Sequence, residues 1–220
     1  MSELETLTET IVSCRKCPRL VDWREEVARV KRKAYLGEEY WGKPVPGFGD
    51  AKARVMVVGL APGAHGSNRT GRQFTGDASG NFLFPALYRA GFANQPNSES
   101  RGDGLILKDM YITASGRCAP PDNKPSTEEL NNCQPFLVRE LEILQPKVIV
   151  CLGKIAFDRI LKIFAQRGLT FAHGAVYKLE SGQWLLCSYH PSQQNTSTKK
   201  LTPAMFDAIW EKAKELNNRK

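Results

Sequence analysis

The sequence predicts an α/β protein with three layers, in which a central, mostly parallel sheet is flanked by helices. Apolar runs such as residues 55–58 are short, β-branched and almost uninterrupted, which is typical of parallel strands covered on both faces. Helical segments alternate with these runs along the chain. The 220 residues suffice for one sizeable core, so we expect a single domain over residues 1–220.

Five strands are expected, each bounded by turn-forming residues. In chain order they are residues 55–58, 110–113, 147–152, 176–180 and 184–189. Ligands of such sheets bind beyond the carboxyl ends of the strands. Three loops are therefore expected to meet at one edge and form the site: residues 59–80, 114–125 and 190–201.

Six helices are expected from apolar periodicity and capping residues. In chain order they are residues 4–13, residues 22–36, a helix from residue 79 or 81 to 90, one after Ser126, one from 153 to about 164, and one from Pro203. The second helix should bury a stripe of Val27, Val30 and Ala34. Residues 37–50, rich in Gly and Pro, are expected to be a turn-rich connector.

Capping residues and prolines refine three of these helices. Ser126 with Glu129 forms a capping box, and Thr202 before Pro203 starts the last helix. Pro135 is expected to break or restart the helix that Ser126 begins, and Pro85 to fall in the first turns of its helix.

The composition bounds the possible functions. A formal charge of +8 and a pI near 9.2 favour a polyanionic partner, although a merely basic surface remains an alternative. No apolar run approaches the ~18 residues of a membrane span, and the N-terminus lacks a signal-peptide pattern. We expect an intracellular protein that does not enter membranes.

The six cysteines fall into two groups. Cys151 and Cys187 lie in apolar runs and are expected to be small buried strand residues. The other four comprise a C-x2-C couple followed by Pro18 and a second couple separated by fourteen residues; they are Cys14, Cys17, Cys118 and Cys133. In an intracellular chain such couples indicate metal rather than disulfides, and their spacing leaves iron–sulfur and zinc both open.

The loop over residues 59–80 contains several candidate functional residues. It lacks both G-x-G-x-x-G and a Walker motif, but its glycines would let backbone approach a flat ligand or a phosphate. Phe74 could stack on a base or fold into the core, and Asp77 could be catalytic or cap a helix. His190, after a strand and before a proline, is a better functional candidate than His173.

The segment G-L-A-P-G-A-H-G-S-N-R-T-G-R-Q-F-T-G-D-A-S-G, with Y-H-P-S and the four cysteines, closely resembles family 5 (type B) uracil-DNA glycosylases. The resemblance implies the uracil-DNA glycosylase fold and a [4Fe–4S] cluster that ties in the N-terminal segment through those four cysteines. It also implies a monofunctional glycosylase that flips deaminated bases out of DNA and excises uracil, hypoxanthine and, as a further candidate, xanthine.

The resemblance also assigns residues. It makes Asp77 and His190 catalytic. The base-binding residues are expected to be Gly63, Ala64, His65, Phe74, Asn123 and Ser192. The DNA-binding residues are expected to be Ser67, Arg69, Gln193, Gln194, Asn195, Lys199 and Lys200. Ala64 and Ala114 stand where related families keep an Asp or Asn, which fits a less selective pocket.

The expected partner is double-stranded DNA with deaminated bases, bound by a monomer in the cytoplasm at the nucleoid. Two other functions remain open at this stage. A non-catalytic DNA-binding module with a structural metal would share the charge and the cysteines. A nucleotide hydrolase is disfavoured, because paired metal-binding carboxylates near the strand ends are lacking.

Overall fold

The computed structural model describes residues 2–219, which form a six-stranded sheet and eight α-helices. The strands are β1 (Phe48–Gly49), β2 (Val55–Gly59), β3 (Met110–Ala114), β4 (Val148–Leu152), β5 (Val176–Lys178) and β6 (Trp184–Ser188). The helices are α1 (Glu3–Val12), α2 (Pro18–Val30), α3 (Ser67–Thr70), α4 (Ala78–Arg89), α5 (Thr127–Leu144), α6 (Lys154–Ile163), α7 (Gln193–Ser197) and α8 (Pro203–Asn218). Two 3-10 turns span Lys33–Tyr35 and Pro121–Asn123.

The sheet has the order β1-β3-β2-β4-β6-β5. Its four central strands are parallel, and the two edge strands β1 and β5 pair antiparallel. Every residue of β2, β3 and β4 is buried, as the uninterrupted apolar runs predicted. Parallel pairing brings the carboxyl ends of the four central strands to one edge. The predicted α/β class with a mostly parallel sheet is confirmed.

Helices cover both faces of the sheet. Successive side chains of β2 point to opposite faces, with Val55 and Val57 in one core cluster and Met56 and Val58 in the other. Buried side chains of α4 and α8 complete the first cluster, and those of α5 and α6 complete the second. The predicted three layers are thus present. Cys151 and Cys187 are fully buried in β4 and β6, as expected.

The second helix differs from its predicted span. It begins at Pro18, where proline suits the first helical position, and it ends at Val30 because Lys31 takes a φ of +60°. The predicted stripe was wrong: Val30 and Ala34 are exposed, and α2 buries Leu20, Val21, Arg24 and Val27. The buried face of α2 includes the charged residue Arg24, so a pattern of apolar residues alone did not identify it.

Neither proline acts as predicted. Pro135 is the ninth residue of α5 and Pro85 the eighth of α4, and both helices continue through them. Residues on both sides of Pro135, including Cys133 and Phe136, are buried, so packing holds the helix despite one missing backbone hydrogen bond. The capping box at Ser126 and the cap at Thr202 are both present.

Three short elements had no sequence signal. β1, α3 and α7 have two, four and five residues, too few for a hydrophobic period to show. Within residues 2–219, no helix is both long and apolar enough to cross a membrane.

Candidate active site

A cleft of about 780 Å³ opens at the edge where the parallel strands end. Its walls come from the loops after β2, β3 and β6, so the prediction that these three loops meet is confirmed. The predicted catalytic and base-binding residues all line it: Gly63, Ala64, His65, Phe74, Asp77, Asn123, His190 and Ser192. Ser67, Gln193 and Gln194, predicted to bind DNA, line it too.

Asp77 is both the cap of α4 and part of the cleft wall. Its Oδ1 accepts a hydrogen bond from the backbone N–H of Gly80 at 3.0 Å, which starts the helix. Burial raises the pKa of Asp77, while the N–H groups of Gly80 and Ser79 and the Arg69 guanidinium act in the opposite direction. The two interpretations left open by the sequence, cap and catalytic group, are therefore compatible.

Two glycines leave room for this carboxylate. A Cβ at Gly66 would lie 2.1 Å from Oδ2 of Asp77, and one at Gly63 would lie 3.1 Å from the same atom. Neither glycine has a positive φ, and at both positions the close carboxylate leaves little room for a side chain. The turn before α3 thus presses directly against the second oxygen of Asp77.

Phe74 lies between the core and the cleft. Its side chain is 7% exposed and belongs to the core cluster of α4 and α8, yet it lines the cleft. Its φ of +53° is costly for a bulky residue and marks a position that its surroundings hold in place. The ring rests over Gly59, where a Cβ would lie 2.8 Å from Cζ. Phe74 therefore packs into the core, one of the two alternatives, and its stacking on a base stays a prediction.

His190 faces Phe74 from the opposite loop, with 5.7 Å between the ring centroids. Burial lowers the pKa of His190 to about 4, so the imidazole is neutral near pH 7. Its backbone carbonyl accepts a hydrogen bond from Nδ2 of Asn195 at 2.9 Å. Asn195, which the sequence assigned to DNA, thus holds the loop that carries His190.

His65 is fixed by a residue that the sequence did not single out. The Tyr40 hydroxyl lies 3.0 Å from Nδ1 of His65, and the two rings meet edge to face. Burial and the cations Arg32 and Arg69 lower the pKa of His65. His65, predicted to bind the base, therefore enters the cleft as a neutral ring whose position Tyr40 fixes.

The remaining base-binding candidates lie at the mouth of the cleft. Asn123 is exposed, and both it and Asp122 adopt positive φ, which turns the loop after β3 toward the cleft. Ser192 caps α7, with its Oγ 3.4 Å from the N–H of Asn195.

The surroundings of Arg69 do not favour its predicted contact with DNA. Arg69 is 8% exposed, and its guanidinium donates to the carbonyls of His65 and Gly76 and to the carboxylate of Glu38. The guanidinium of Arg69 therefore makes its hydrogen bonds within the protein, where it holds the glycine-rich loop in place. Lys199 and Lys200 are exposed, as a DNA contact requires, but they lie outside the cleft lining.

Sequence reasoning gave no role to several residues of the lining, and three of them matter for the shape of the cleft. They are Arg32, Tyr35 and Gln73. Arg32 and Tyr35 lie in residues 22–36, which were predicted to be helical throughout. Because α2 ends at Val30, these two residues instead belong to the segment that reaches the cleft. The buried amide of Gln73 donates from Nε2 to the carbonyl of Val45 at 3.1 Å, a contact far apart in sequence.

The other four cysteines line a second, small cavity, where Cys14 and Cys17 before α2 meet Cys118 and Cys133. Among the side chains of residues 2–219, no group of three or more Cys, His, Asp or Glu is arranged to hold a metal ion. A tetrahedral zinc with bonds of ~2.3 Å needs its four sulfurs close together, whereas an iron–sulfur cube takes ligands farther apart. The structure thus brings the four cysteines to one cavity, and the group that they hold stays a prediction.

The chemistry of this cavity also fits an anionic group. Arg24 is 1% exposed and donates to Sγ of Cys118 at 2.9 Å, while its Nε has no partner among the described residues. Its only carboxylate neighbour within ion-pair range in the described chain, the half-exposed Glu25, lies 3.6 Å away. A guanidinium stays charged and is costly to bury without a counter-charge, which thiolate ligands would supply.

Comparisons with known proteins agree with this geometry. A family model described as the uracil DNA glycosylase superfamily matches residues 46–214. A type-5 uracil-DNA glycosylase of Thermus thermophilus is 53% identical over 215 residues, covering 96% of this chain and 97% of the relative. One of Mycobacterium leprae is 51% identical, covering 96% and 94%. A type-4 uracil-DNA glycosylase of Archaeoglobus fulgidus is 32% identical, covering 87% and 83%.

Proposed function

The chain belongs to the uracil-DNA glycosylase superfamily, and we propose that it hydrolyses the N-glycosidic bond of uracil in DNA to begin base excision repair. The observation that carries this proposal is the meeting of Phe74, Asp77 and His190 in one cleft. An aromatic platform, a carboxylate and a neutral hydrogen-bond donor are the three groups that base hydrolysis requires.

The base must leave the duplex to reach this cleft, because the reacting bond is inaccessible inside the stack. Flipping costs a few kcal/mol and is cheapest at a mispaired base, such as uracil opposite guanine. Phe74 is the stacking surface for the flipped ring. Its position between the core and the cleft makes that surface rigid. Gln193 and Gln194, exposed at the start of α7, enter the gap in the duplex.

His190 stabilises the departing base. As the glycosidic bond lengthens, negative charge develops on the base and positive charge on the sugar. A neutral imidazole donates one hydrogen bond to the base anion, and this bond strengthens only as the charge develops. The lowered pKa of His190 means that it donates without first acquiring a proton from solvent.

Asp77 acts on the sugar side of the bond. One oxygen is held by the Gly80 N–H, which fixes the orientation of the carboxylate. The second oxygen, beside Gly63 and Gly66, orients the attacking water and stabilises the cationic sugar. As the water oxygen bonds to C1′, the second oxygen of Asp77 accepts the water's proton, and the base departs as an anion with the electrons of the broken C1′–N bond.

Hypoxanthine and xanthine are further substrates in this proposal. Ala64 gives the cleft wall a methyl group and no charge. Asn123 carries an amide that both donates and accepts hydrogen bonds, so it can pair with more than one base edge.

Excision assays test the function. Duplexes with a single uracil, hypoxanthine or xanthine are incubated with the protein, and abasic sites are revealed by alkali cleavage. We expect cleavage of uracil duplexes and of at least one purine lesion. Binding without abasic sites would contradict the proposal and favour a non-catalytic DNA-binding module. Release of uracil alone would contradict only the broader range.

We also propose that Cys14, Cys17, Cys118 and Cys133 hold a [4Fe–4S] cluster. Support comes from their shared cavity and from the buried Arg24 beside Cys118. The cluster would cross-link the N-terminal segment to the loop after β3 and to α5. It takes no part in the base-release chemistry.

Anaerobic purification tests the cluster. We expect a brown protein with about four iron atoms per chain, since each [4Fe–4S] cluster contains four. Cys17→Ser should lose most of the iron, whereas Cys151→Ala, at a buried cysteine outside the cavity, should retain it. A colourless protein loaded with zinc, or equal iron in both variants, would contradict the assignment.

A further inference from the structure

One side of the cleft mouth is formed by residues 31–40, a segment named here the N-terminal rim. Arg32 and Tyr35 of this rim line the same cleft as Phe74 and His190. Neither residue is part of the proposed base-release chemistry.

The N-terminal rim is held in one conformation by polar contacts. Nζ of Lys31 donates to the carbonyls of Leu36 at 3.3 Å and Glu38 at 2.6 Å, which closes the turn after α2. The backbone N–H of Arg32 lies 3.4 Å from the Tyr40 hydroxyl, and that hydroxyl contacts His65. The rim is thereby attached to the glycine-rich loop.

Tyr35 is supported from below by Arg69. The guanidinium lies 4.0 Å from the centroid of the Tyr35 ring, within the range of a cation–π contact. Arg69 is itself fixed by Glu38 and by the carbonyls of His65 and Gly76. Tyr35 is only half-buried, so a firmly supported aromatic ring is presented at the mouth.

Arg32 is exposed and has no carboxylate within ion-pair distance in the described part of the chain. Many other surface arginines are paired, for example Arg54 with Asp109 and Arg89 with Asp207. An unpaired guanidinium at the mouth of a cleft suits a phosphate, which it can bind through two hydrogen bonds.

We propose that the N-terminal rim is a second DNA contact, separate from the loop of residues 190–201. Arg32 binds a backbone phosphate of the strand that carries the flipped nucleotide, and Tyr35 stacks against the neighbouring nucleotide of that strand. The same strand is inferred because the phosphates flanking a nucleotide in the cleft must lie at its mouth. This inference rests on the proposed function for the identity of the ligand.

The test is DNA binding as a function of salt. A fluorescent duplex with one tetrahydrofuran abasic analogue, which cannot be cleaved by a glycosylase, is titrated by anisotropy from low to high salt. Removing one phosphate contact reduces the slope of log K against log salt by about 1. We expect this change for Arg32→Ala and its recovery in Arg32→Lys. Tyr35→Leu should weaken binding about fivefold or more with an unchanged slope.

Arg167→Ala is the matched control. Arg167 is likewise exposed and lacks an ion-pair partner among the described residues, but it follows α6 at the opposite edge of the sheet. It should bind like the wild type. An Arg32→Ala slope equal to that of Arg167→Ala, or a Tyr35→Leu affinity equal to wild type at an unchanged melting temperature, would overturn the proposal.

Failure of the proposed function gives a different result. If the wild type binds the duplex but releases no uracil, the proposed glycosylase function is contradicted. The salt slope of Arg32→Ala still tests whether the N-terminal rim contacts DNA. If uracil is released but Arg32→Ala leaves the slope of log K against log salt unchanged, the glycosylase function is supported and the proposed rim contact is contradicted.

Discussion

At the scale of single residues, Asp77 combines a structural and a chemical task in one carboxylate. One oxygen caps α4 and the other lies against Gly63 and Gly66. The two tasks can be separated, because asparagine caps helices as well as aspartate does but carries no charge.

Asp77→Asn should therefore lower the single-turnover rate of uracil release by about 10²–10⁴-fold while DNA binding and melting temperature change little. The measurement is single-turnover excision with enzyme in excess. Thr202→Ala is the control, since it removes the side-chain cap of α8 at a distance from the cleft. It should cost about 1 kcal/mol of stability and leave the rate unchanged. A normal rate in Asp77→Asn would remove Asp77 from the chemistry.

His190 should make stability depend on pH in a defined direction. Its folded-state pKa of about 4 lies below the unfolded value, so the unfolded chain binds more protons between pH 4 and 6.5. The contribution is present above pH 6.5 and is lost as the pH falls toward 4. Between pH 7 and pH 5 the wild type should lose about 1–2 kcal/mol more than His190→Gln in urea unfolding. Equal losses would show that His190 is not desolvated.

At the scale of elements, the turn between β2 and α3 acts as a spacer for the carboxylate. Gly66 has a negative φ of −100°. A side chain there is excluded by Asp77, whose Oδ2 would lie 2.1 Å from an added Cβ. This turn and the start of α4 therefore form one unit.

Gly66→Ala should push the Asp77 carboxylate out of place and reduce excision by at least about tenfold, since small misplacements in a catalytic site are costly. We expect its melting temperature to fall because α4 must adjust, so rates are compared well below that temperature. Gly102→Ala serves as the comparison, because a Cβ there meets nothing within 4 Å and the residue lies outside the cleft lining. Activity in Gly66→Ala equal to that of Gly102→Ala would show that the contact is unimportant.

At the scale of the whole molecule, a buried ion pair joins the loop after β3 to α5. Arg117 donates from Nη2 to Oε2 of Glu140 at 2.6 Å, and both side chains are almost completely buried. The hydroxyl of Thr113 donates to the same carboxylate oxygen at 2.7 Å. Because Arg117 precedes Cys118, this network also supports one wall of the cysteine cavity.

Glu140→Gln should cost about 3–5 kcal/mol in urea unfolding, since it leaves a buried guanidinium without its counter-charge. Glu142→Gln, which removes a half-exposed partner of Arg139 on the same helix, should cost no more than about 1 kcal/mol. Similar losses in the two variants would contradict a dominant role for the buried pair.

The sequence by itself determined the fold class and most of the cleft. Central strands buried on both faces leave an unambiguous apolar pattern, and parallel pairing then forces their loops to one edge. The predictions for Phe74, Asp77 and His190 to share a site followed from that rule and from the family resemblance. Their roles in base release remain predictions for the variants above.

The partners of the polar and charged side chains became clear from the tertiary structure alone. Arg69 resembled a DNA contact in sequence, yet three acceptors from separate parts of the chain occupy it. Arg24 is buried beside Cys118, and α2 ends early, which brings Arg32 and Tyr35 to the cleft. Apolar periodicity is a local property of the chain, whereas the partner of a charged side chain depends on residues that only folding brings near.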